Sequence, residues 1–251
     1  IGRPLVAAPP SRLYRTRKFL MRNRISVGVI ASIALVAVLA VVLASWQWRK
    51  GVRFLDRTMV QPAVVSVDRE FADYPAVGAH VRQIMANHYA QLGLVELAMP
   101  LQQAALETRR RELGDRHPDT LQSAAAMGEL LRDNDQAGDA VSLLRSIEPA
   151  ARSVLAEGDG ARLADVLAVL GECRARLPYN RSRYAAAESN LREAHDLLVR
   201  SLDAGDPRVQ RCVLSLSELH RAWERAEPGT GHAAKAAEWK SRLGVAPKPG
   251  T

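Results

Sequence analysis

The stretch MANHYAQLGLVELAMPLQQAAL, residues 85–106, is followed by a second stretch with the same order of small and large side chains, MGELLRDNDQAGDAVSLLRSIE, residues 127–148. At a constant offset of 42, the aligned pairs include Met85 with Met127, Ala98 with Ala140, Leu101 with Leu143, and Ala105 with Ile147. In a helical hairpin, small residues mark where two helices touch, and large ones fill the space between successive hairpins. The shared order therefore predicts one packing unit of two helices that recurs along the chain.

The helical pattern continues beyond this pair. From Val77 onward the sequence is rich in Ala, Leu, Glu and Arg, which favour helices, and looser copies follow at residues 167–198 and 214–243. Between copies, a Gly ends one helix and an acid or Pro begins the next. These junctions are GDRHPDT (114–120), GDGARLA (158–164) and GDPRVQ (205–210). We expect an all-α solenoid of about four helical hairpins over residues 77–243, with a disordered tail at 244–251.

The first two units resemble the tetratricopeptide repeat, in the longer form found in kinesin light chains, whose units commonly open with HPDT like His117 to Thr120. The resemblance implies a concave groove, formed by the inner helices, that binds a protein or an extended or helical peptide. Carried onto the matching positions, it implies groove-facing side chains at Gln83, Asn87, Gln91, Gln122, Glu129, Arg132 and Asp133. The alternative is that these side chains are simply exposed and solvated.

A long apolar run lies near the start of the chain. Residues 25–45, ISVGVIASIALVAVLAVVLAS, contain no charged side chain. At about 1.5 Å per residue, a helix of this length spans roughly 31 Å, the thickness of a hydrocarbon core. Trp46 and Trp48 follow, where aromatic residues favour the membrane interface. The run predicts a single transmembrane helix at 25–46; a buried soluble helix would be shorter, and a cleaved signal peptide has a shorter apolar segment.

The segment before this run, residues 1–24, is basic. It holds seven of the chain's 35 Lys and Arg and no acid, whereas the chain has 27 acidic residues, so the remainder is nearly neutral. The local excess argues against a nucleic-acid-binding face. It predicts a cytoplasmic N-terminus and an extracytoplasmic repeat domain, although the other flank is also basic and the reversed orientation stays open. Six side chains should contact anionic headgroups: Arg12, Arg15, Arg17, Lys18, Arg22 and Arg24.

A second resemblance concerns residues 2–24, GRPLVAAPPSRLYRTRKFLMRNR, followed by the apolar run. This order is similar to the segment that joins the catalytic domain of certain bacterial transmembrane serine/threonine protein kinases to their membrane helix, with tetratricopeptide repeats often following. The chain also begins with Ile1 rather than Met, which favours the C-terminal piece of a longer protein. The resemblance implies a kinase inside the plasma membrane and a sensing array outside. Residues 61–75 have mixed polarity and two prolines, which predicts a linker at 47–76.

The chain itself lacks kinase motifs. It contains no Gly-rich loop, no His-Arg-Asp followed by Asn and no Asp-Phe-Gly, so we expect no catalysis from this chain alone. Two function classes remain open: the interaction or signalling domain of a receptor-type kinase, and a free-standing membrane-anchored scaffold without an enzyme. A homodimer is a further option for the assembly.

Metal and cofactor sites are not predicted. The six His and two Cys form no HExxH, CxxC or His pair at i, i+4 spacing. His117 is interpreted as the start of a helix. Cys173 and Cys212 fall in the first helices of the third and fourth units, either as two buried free thiols or, outside the cytoplasm, as a disulfide. Residues 107–113, ETRRREL, are expected to form a solvated helix face.

Overall fold

The computed structural model of the protein describes residues 66–67, 69–155 and 160–244. The predicted basic segment and transmembrane helix lie outside the described residues, as do most of the predicted linker and nearly all of the predicted tail. None of the helices within the described ranges has both the length and the apolar character that a membrane span requires.

Eight helices, and no strand, make up the described part of the chain. They are α1 (Pro75–Gln91), α2 (Val95–Leu113), α3 (Pro118–Asp133), α4 (Ala137–Leu155), α5 (Gly160–Arg176), α6 (Arg181–Leu198), α7 (Pro207–Ala226) and α8 (His232–Ser241). Each helix packs against the next, and α5 also touches α3 and α7. Contacts confined to near neighbours are typical of a solenoid, and the prediction of an all-α tetratricopeptide-like stack is confirmed for these residues.

Several helix starts follow directly from local sequence. At the start of α3, His117 Nδ1 accepts a 3.2 Å hydrogen bond from the backbone N–H of Asp119, and Pro118 occupies the first turn. Asn180 and Asp206 cap α6 and α7 in the same way. A side-chain acceptor satisfies one of the otherwise unpaired N–H groups of the first turn. The interpretation of His117 as the start of a helix is thus confirmed.

Small residues mark the close contacts inside hairpins, as the repeat predicted. A Cβ added to Gly128 on α3 would lie 2.9 Å from the side chain of Leu144 on α4. The equivalent addition at Gly171 on α5 would lie 2.7 Å from Leu191 on α6. In each hairpin, therefore, the absence of a side chain on the first helix makes room for a buried Leu on the second.

The structure tests two of the sequence-based interpretations, one about the two cysteines and one about residues 107–113. Cys173 on α5 and Cys212 on α7 are both buried and both free, so of the two alternatives the structure has separate thiols. The expectation of a solvated face at 107–113 is wrong for Arg109, which is 6% exposed. Its guanidinium reaches the carbonyl of Asp119 at 3.2 Å and the hydroxyl of Ser123, so it joins α2 to α3.

Candidate peptide-binding surface

Polar side chains of α3, α5 and α7, the first helices of the second, third and fourth hairpins, meet around one carboxylate. Glu172 on α5 accepts hydrogen bonds from Nε and Nη2 of Arg211 on α7, each at 2.8 Å. Ser215 donates its hydroxyl to the same carboxylate at 2.9 Å. Arg132 on α3 donates from the other side. Glu172, on the third hairpin, thus accepts hydrogen bonds from both the second and the fourth.

The cluster extends along both neighbouring helices. Arg211 Nη1 also lies 2.8 Å from Glu129 Oε1 on α3, and Arg132 Nε lies 2.8 Å from the carboxylate of Asp133. We call these five charged side chains, Glu129, Arg132, Asp133, Glu172 and Arg211, the ion network. It links α3 directly to α7 across α5, so it fixes the spacing of the three helices.

Three members of the ion network, Arg132, Glu172 and Arg211, stay charged although they are partly or largely buried. The side chains of Glu172 and Arg132 are only 10% and 11% exposed. Burial opposes the charge on Glu172, but the hydrogen bonds and charges of Arg211 and Arg132 outweigh it, so the pKa of Glu172 lies below its ordinary value. Burial is likewise outweighed at Arg132 and Arg211, whose pKa values are raised by the carboxylates around them.

The seven residues that the resemblance implied for the groove lie in different places and make different contacts. Glu129, Arg132 and Asp133 come together in the ion network. Gln83 instead accepts a hydrogen bond from Arg109 at the junction of the first two hairpins. The remaining three, Asn87, Gln91 and Gln122, are at least partly exposed, the first two on α1 and the third on α3. Whether any of the seven contacts a partner stays a prediction.

A groove of about 1150 Å³ begins at the ion network and runs between α5, α7 and α8. Apolar side chains lie within its lining: Ala175, Leu191, Leu219, Ala222, Ala233, Ala236 and Ala237. Ser215, Ser217 and nine charged side chains line the rest, and of the charged ones six are Arg or Lys and three are Glu. The basic ones outside the ion network are Arg176, Arg221, Arg225 and Lys240. The groove therefore combines an apolar lining with an excess of positive charge.

The three carboxylates in this lining are already engaged. Glu172 belongs to the ion network, and Glu218 lies 3.8 Å from Arg221. Glu224 accepts hydrogen bonds from the backbone N–H groups of Gly229 and Ala233, at 2.6 and 3.1 Å, at the start of α8. Six cations against these three carboxylates leave the lining with a net positive charge.

The groove predicted from the sequence lay on the first two units, and of the six groove cations it included only Arg132. The last two units match the repeat only weakly, so no groove-facing residues were predicted on their inner helices. One signal was available: Glu172 and Arg176 on α5, and Arg221 and Arg225 on α7, are spaced four apart, which places each pair on one helix face.

Comparison with known proteins supports the repeat architecture. Residues 79–153, which comprise most of α1 and α4 and all of α2 and α3, match the family model of the tetratricopeptide repeat. No protein with a curated description matches the chain significantly. Tetratricopeptide repeats are typically non-catalytic and generally bind protein partners, and no kinase domain is evident in this chain. The matched residues are therefore a tetratricopeptide-type interaction scaffold.

The fold is shared with a crystal structure of low sequence identity. The crystal structure of BtubC (BKLC) from P. vanneervenii has 14% sequence identity and a TM-score of 0.54, with 94% of this chain and 90% of that chain covered. A putative kinesin light chain from Podosopora anserina with nearly identical TPR-like repeats has 21% identity and a TM-score of 0.31, with 67% and 94% covered.

Proposed function

We propose that this tetratricopeptide-type scaffold binds an acidic protein segment in the groove between α5, α7 and α8. The observation that carries the proposal is the excess of Arg and Lys around an apolar lining in a groove of about 1150 Å³. Small-molecule sites typically occupy about 300–1,000 Å³, so the groove has room for several side chains of a peptide. An apolar lining with charges around it suits a segment that alternates apolar and acidic residues.

Within the groove, the cations divide into two roles. Arg132 and Arg211 are held by Glu172 and the other acids of the ion network, so they position the helices. Arg176, Arg225 and Lys240 lie outside that network, and their exposed side chains are able to approach the carboxylates of a partner. Complementary charge of this kind mainly sets the choice of partner and the rate of association.

The test is a binding titration with two fluorescein-labelled peptides, one alternating Glu and Leu, the other Gln and Leu. We expect the Glu peptide to bind more tightly, with an affinity that falls at high salt because exposed charges are screened. The double variant Arg225→Gln, Lys240→Gln should weaken it by about two- to thirtyfold, since each exposed pair contributes about 0.2–1 kcal/mol.

A matched control removes two exposed Arg that do not line the groove, Arg145→Gln with Arg200→Gln. This control has the same net charge as the groove variant, so it should bind the Glu peptide like the wild type. Equal affinity for the Glu and Gln peptides, or an equal loss in both double variants, would contradict the proposal.

We further propose that the scaffold is the extracytoplasmic C-terminal part of a bacterial receptor-type serine/threonine protein kinase anchored in the plasma membrane. Support comes from the order of the basic segment 1–24, the predicted transmembrane helix 25–46 and the repeats. Reading the gene upstream of Ile1 is the first test. An in-frame kinase domain is the expected result, whereas a start codon directly before Ile1 would replace the proposal by the free-standing scaffold.

A further inference from the structure

Two buried histidines join the last helix to the rest of the array. His220 lies on α7, and His232 is the first residue of α8. Their Nδ1 atoms are 3.0 Å apart, and the side chains are 0% and 8% exposed. The ring of His232 also stacks on Trp223, with centroids 4.0 Å apart and an interplanar angle of 16°. We infer that this histidine pair holds α8 in place at neutral pH and releases it on mild acidification.

Helix α8 depends on this contact because it is short. It has 10 residues, and its buried side chains are His232, Ala236 and Trp239. Isolated helices shorter than about 12–15 residues are marginal in water, so α8 is stable only while docked. Besides the histidine pair, docking rests on a 3.0 Å hydrogen bond from the Ser217 hydroxyl to the carbonyl of Ala236 and on the edge contact of Trp239 with His195.

One proton on the pair is tolerated, but a second is not. When both rings are neutral, one Nδ1–H donates to the other Nδ1, and a singly protonated pair keeps that bond. A second proton would place two donors 3.0 Å apart. It would also charge His220, whose Nε2 is buried without a hydrogen-bond partner among the described residues.

The carboxylate that faces His220 does not compensate fully. Glu188 on α6 lies 3.6 Å from His220 Nε2. The same oxygen already lies 3.8 Å from Lys235 on α8 and 3.6 Å from Arg192 on α6. A charged His220 would thus be the third cation around one carboxylate.

The acid on α7 is occupied as well. Glu224, which faces His232, accepts the backbone N–H groups of Gly229 and Ala233. Burial lowers the pKa of His220, and the attraction of Glu188 offsets this only in part.

The direction of the pH effect follows from proton counting. In the docked state His220 stays neutral, whereas after release it titrates near the ordinary His value of about 6.5. The released state then binds more protons below that pH, so docking is complete above it and weakens as the pH falls. For one such His, the docking equilibrium should shift about tenfold between pH 7.5 and pH 5.5.

The consequence for binding rests on the proposed function. Ala233, Ala236, Ala237 and Lys240 of α8 line the groove. Release of α8 would therefore remove one wall of the groove and one of its cations. The histidine pair would make the capture of an acidic segment dependent on the pH outside the membrane.

Hydrogen exchange of the full chain, analysed by mass spectrometry at both pH values and corrected for intrinsic exchange, tests the inference. The protection of α8 should fall about tenfold at pH 5.5, while α3 in the same sample stays unchanged. His220→Gln keeps a side-chain donor and acceptor but cannot take up the proton, so it should abolish the difference. His88→Gln, at an exposed position on α1, should retain it. Equal wild-type protection of α8 at both pH values would overturn the inference.

A second variant covers the case in which His220→Gln does not fold. His232→Gln removes the second ring, and its amide oxygen can accept from a charged His220, so its α8 should lose less protection on acidification than the wild type; an equal or larger loss would argue against the histidine pair. The exchange measurement contains no peptide and so stands apart from the proposed function. If the wild type loses binding of the Glu–Leu peptide at pH 5.5 and His220→Gln does not, the release of α8 controls peptide binding. If the wild type still binds the peptide while α8 is released, the role of α8 in the groove is overturned.

Discussion

Glu172 on α5 accepts two hydrogen bonds, each 2.8 Å long, from the guanidinium of Arg211 on α7. The two residues are 39 positions apart and belong to different hairpins. Because Arg132 approaches the same carboxylate from α3, one acid joins the first helices of three hairpins. The geometry of the proposed groove therefore depends on a side chain that sits at its end.

Replacing this acid should destabilise the array. Glu172→Gln leaves Arg132 and Arg211 without their central counter-charge. Breaking a fully buried pair costs about 3–5 kcal/mol, and the partial exposure of Arg211 should reduce the loss to about 2–3 kcal/mol. Urea unfolding followed by circular dichroism measures it. Glu193→Gln removes the exposed pair with Arg152 and should cost less than about 1 kcal/mol; equal losses would contradict the structural role of Glu172.

The contribution of Glu172 should also disappear in acid. Its pKa is lowered in the folded state, so the stabilisation is fully present above the ordinary Glu value of about 4.3 and is lost as the pH falls through the lower folded-state value. The difference in the free energy of unfolding between the wild type and Glu172→Gln should therefore narrow between about pH 6 and pH 3. A difference that stays constant over this range would refute the assignment.

The sequence predicted the hairpin architecture because local features determine it. Ala98 and Ala140 align in the repeat, and both are fully buried at the helix contacts. The start of α3 could be inferred from His117 and Pro118 alone. The constant offset of 42 predicted buried positions less reliably for large residues. It aligned Leu101 with Leu143, whereas Leu144 is the more deeply buried side chain of α4.

The candidate site was harder to predict, since it depends on contacts between distant residues. Arg211 reaches Glu129 across 82 positions, and no local pattern marks that pair. The environment of Arg109 was also not predictable from local sequence. Its basic neighbours suggested a solvated face, but the helix turns it toward acceptors on α3. Periodicity indicates which face is apolar, and it does not reveal which polar side chains meet across hairpins.

The close contact at Gly171 gives a prediction about packing. In Gly171→Ala the new Cβ would lie 2.7 Å from Leu191 Cγ and 3.1 Å from the carbonyl of Ala187, so α5 and α6 must move apart. We expect a net loss of about 1–3 kcal/mol despite the better helix propensity of Ala. Gly138→Ala on α4 meets nothing within 4 Å and should be neutral or stabilising. Thermal unfolding of both variants provides the measurement, and a stabilised Gly171→Ala would contradict the packing.

The native thiols should be unreactive in the folded protein. Burial raises the pKa of Cys173 to about 11 and that of Cys212 to about 12, so neither forms the reactive thiolate at neutral pH. A thiol reagent that absorbs on reaction should therefore detect almost no thiol in the native wild type and two per chain after denaturation. Rapid reaction of either thiol under native conditions would contradict its burial.

This lack of reactivity permits a direct test of the membrane topology. Ser142 on α4 is exposed, so Ser142→Cys introduces a reactive thiol into the repeats while both native cysteines remain as they are. On cells with an opened outer layer, a membrane-impermeant maleimide should label Ser142→Cys because the repeats are proposed to lie outside. The matched variant Ser11→Cys, in the basic segment, should react only after lysis, and the wild type should not react in either case. Labelling of Ser11→Cys but not Ser142→Cys in unlysed cells would reverse the orientation and turn the search for an acidic partner toward the cytoplasm.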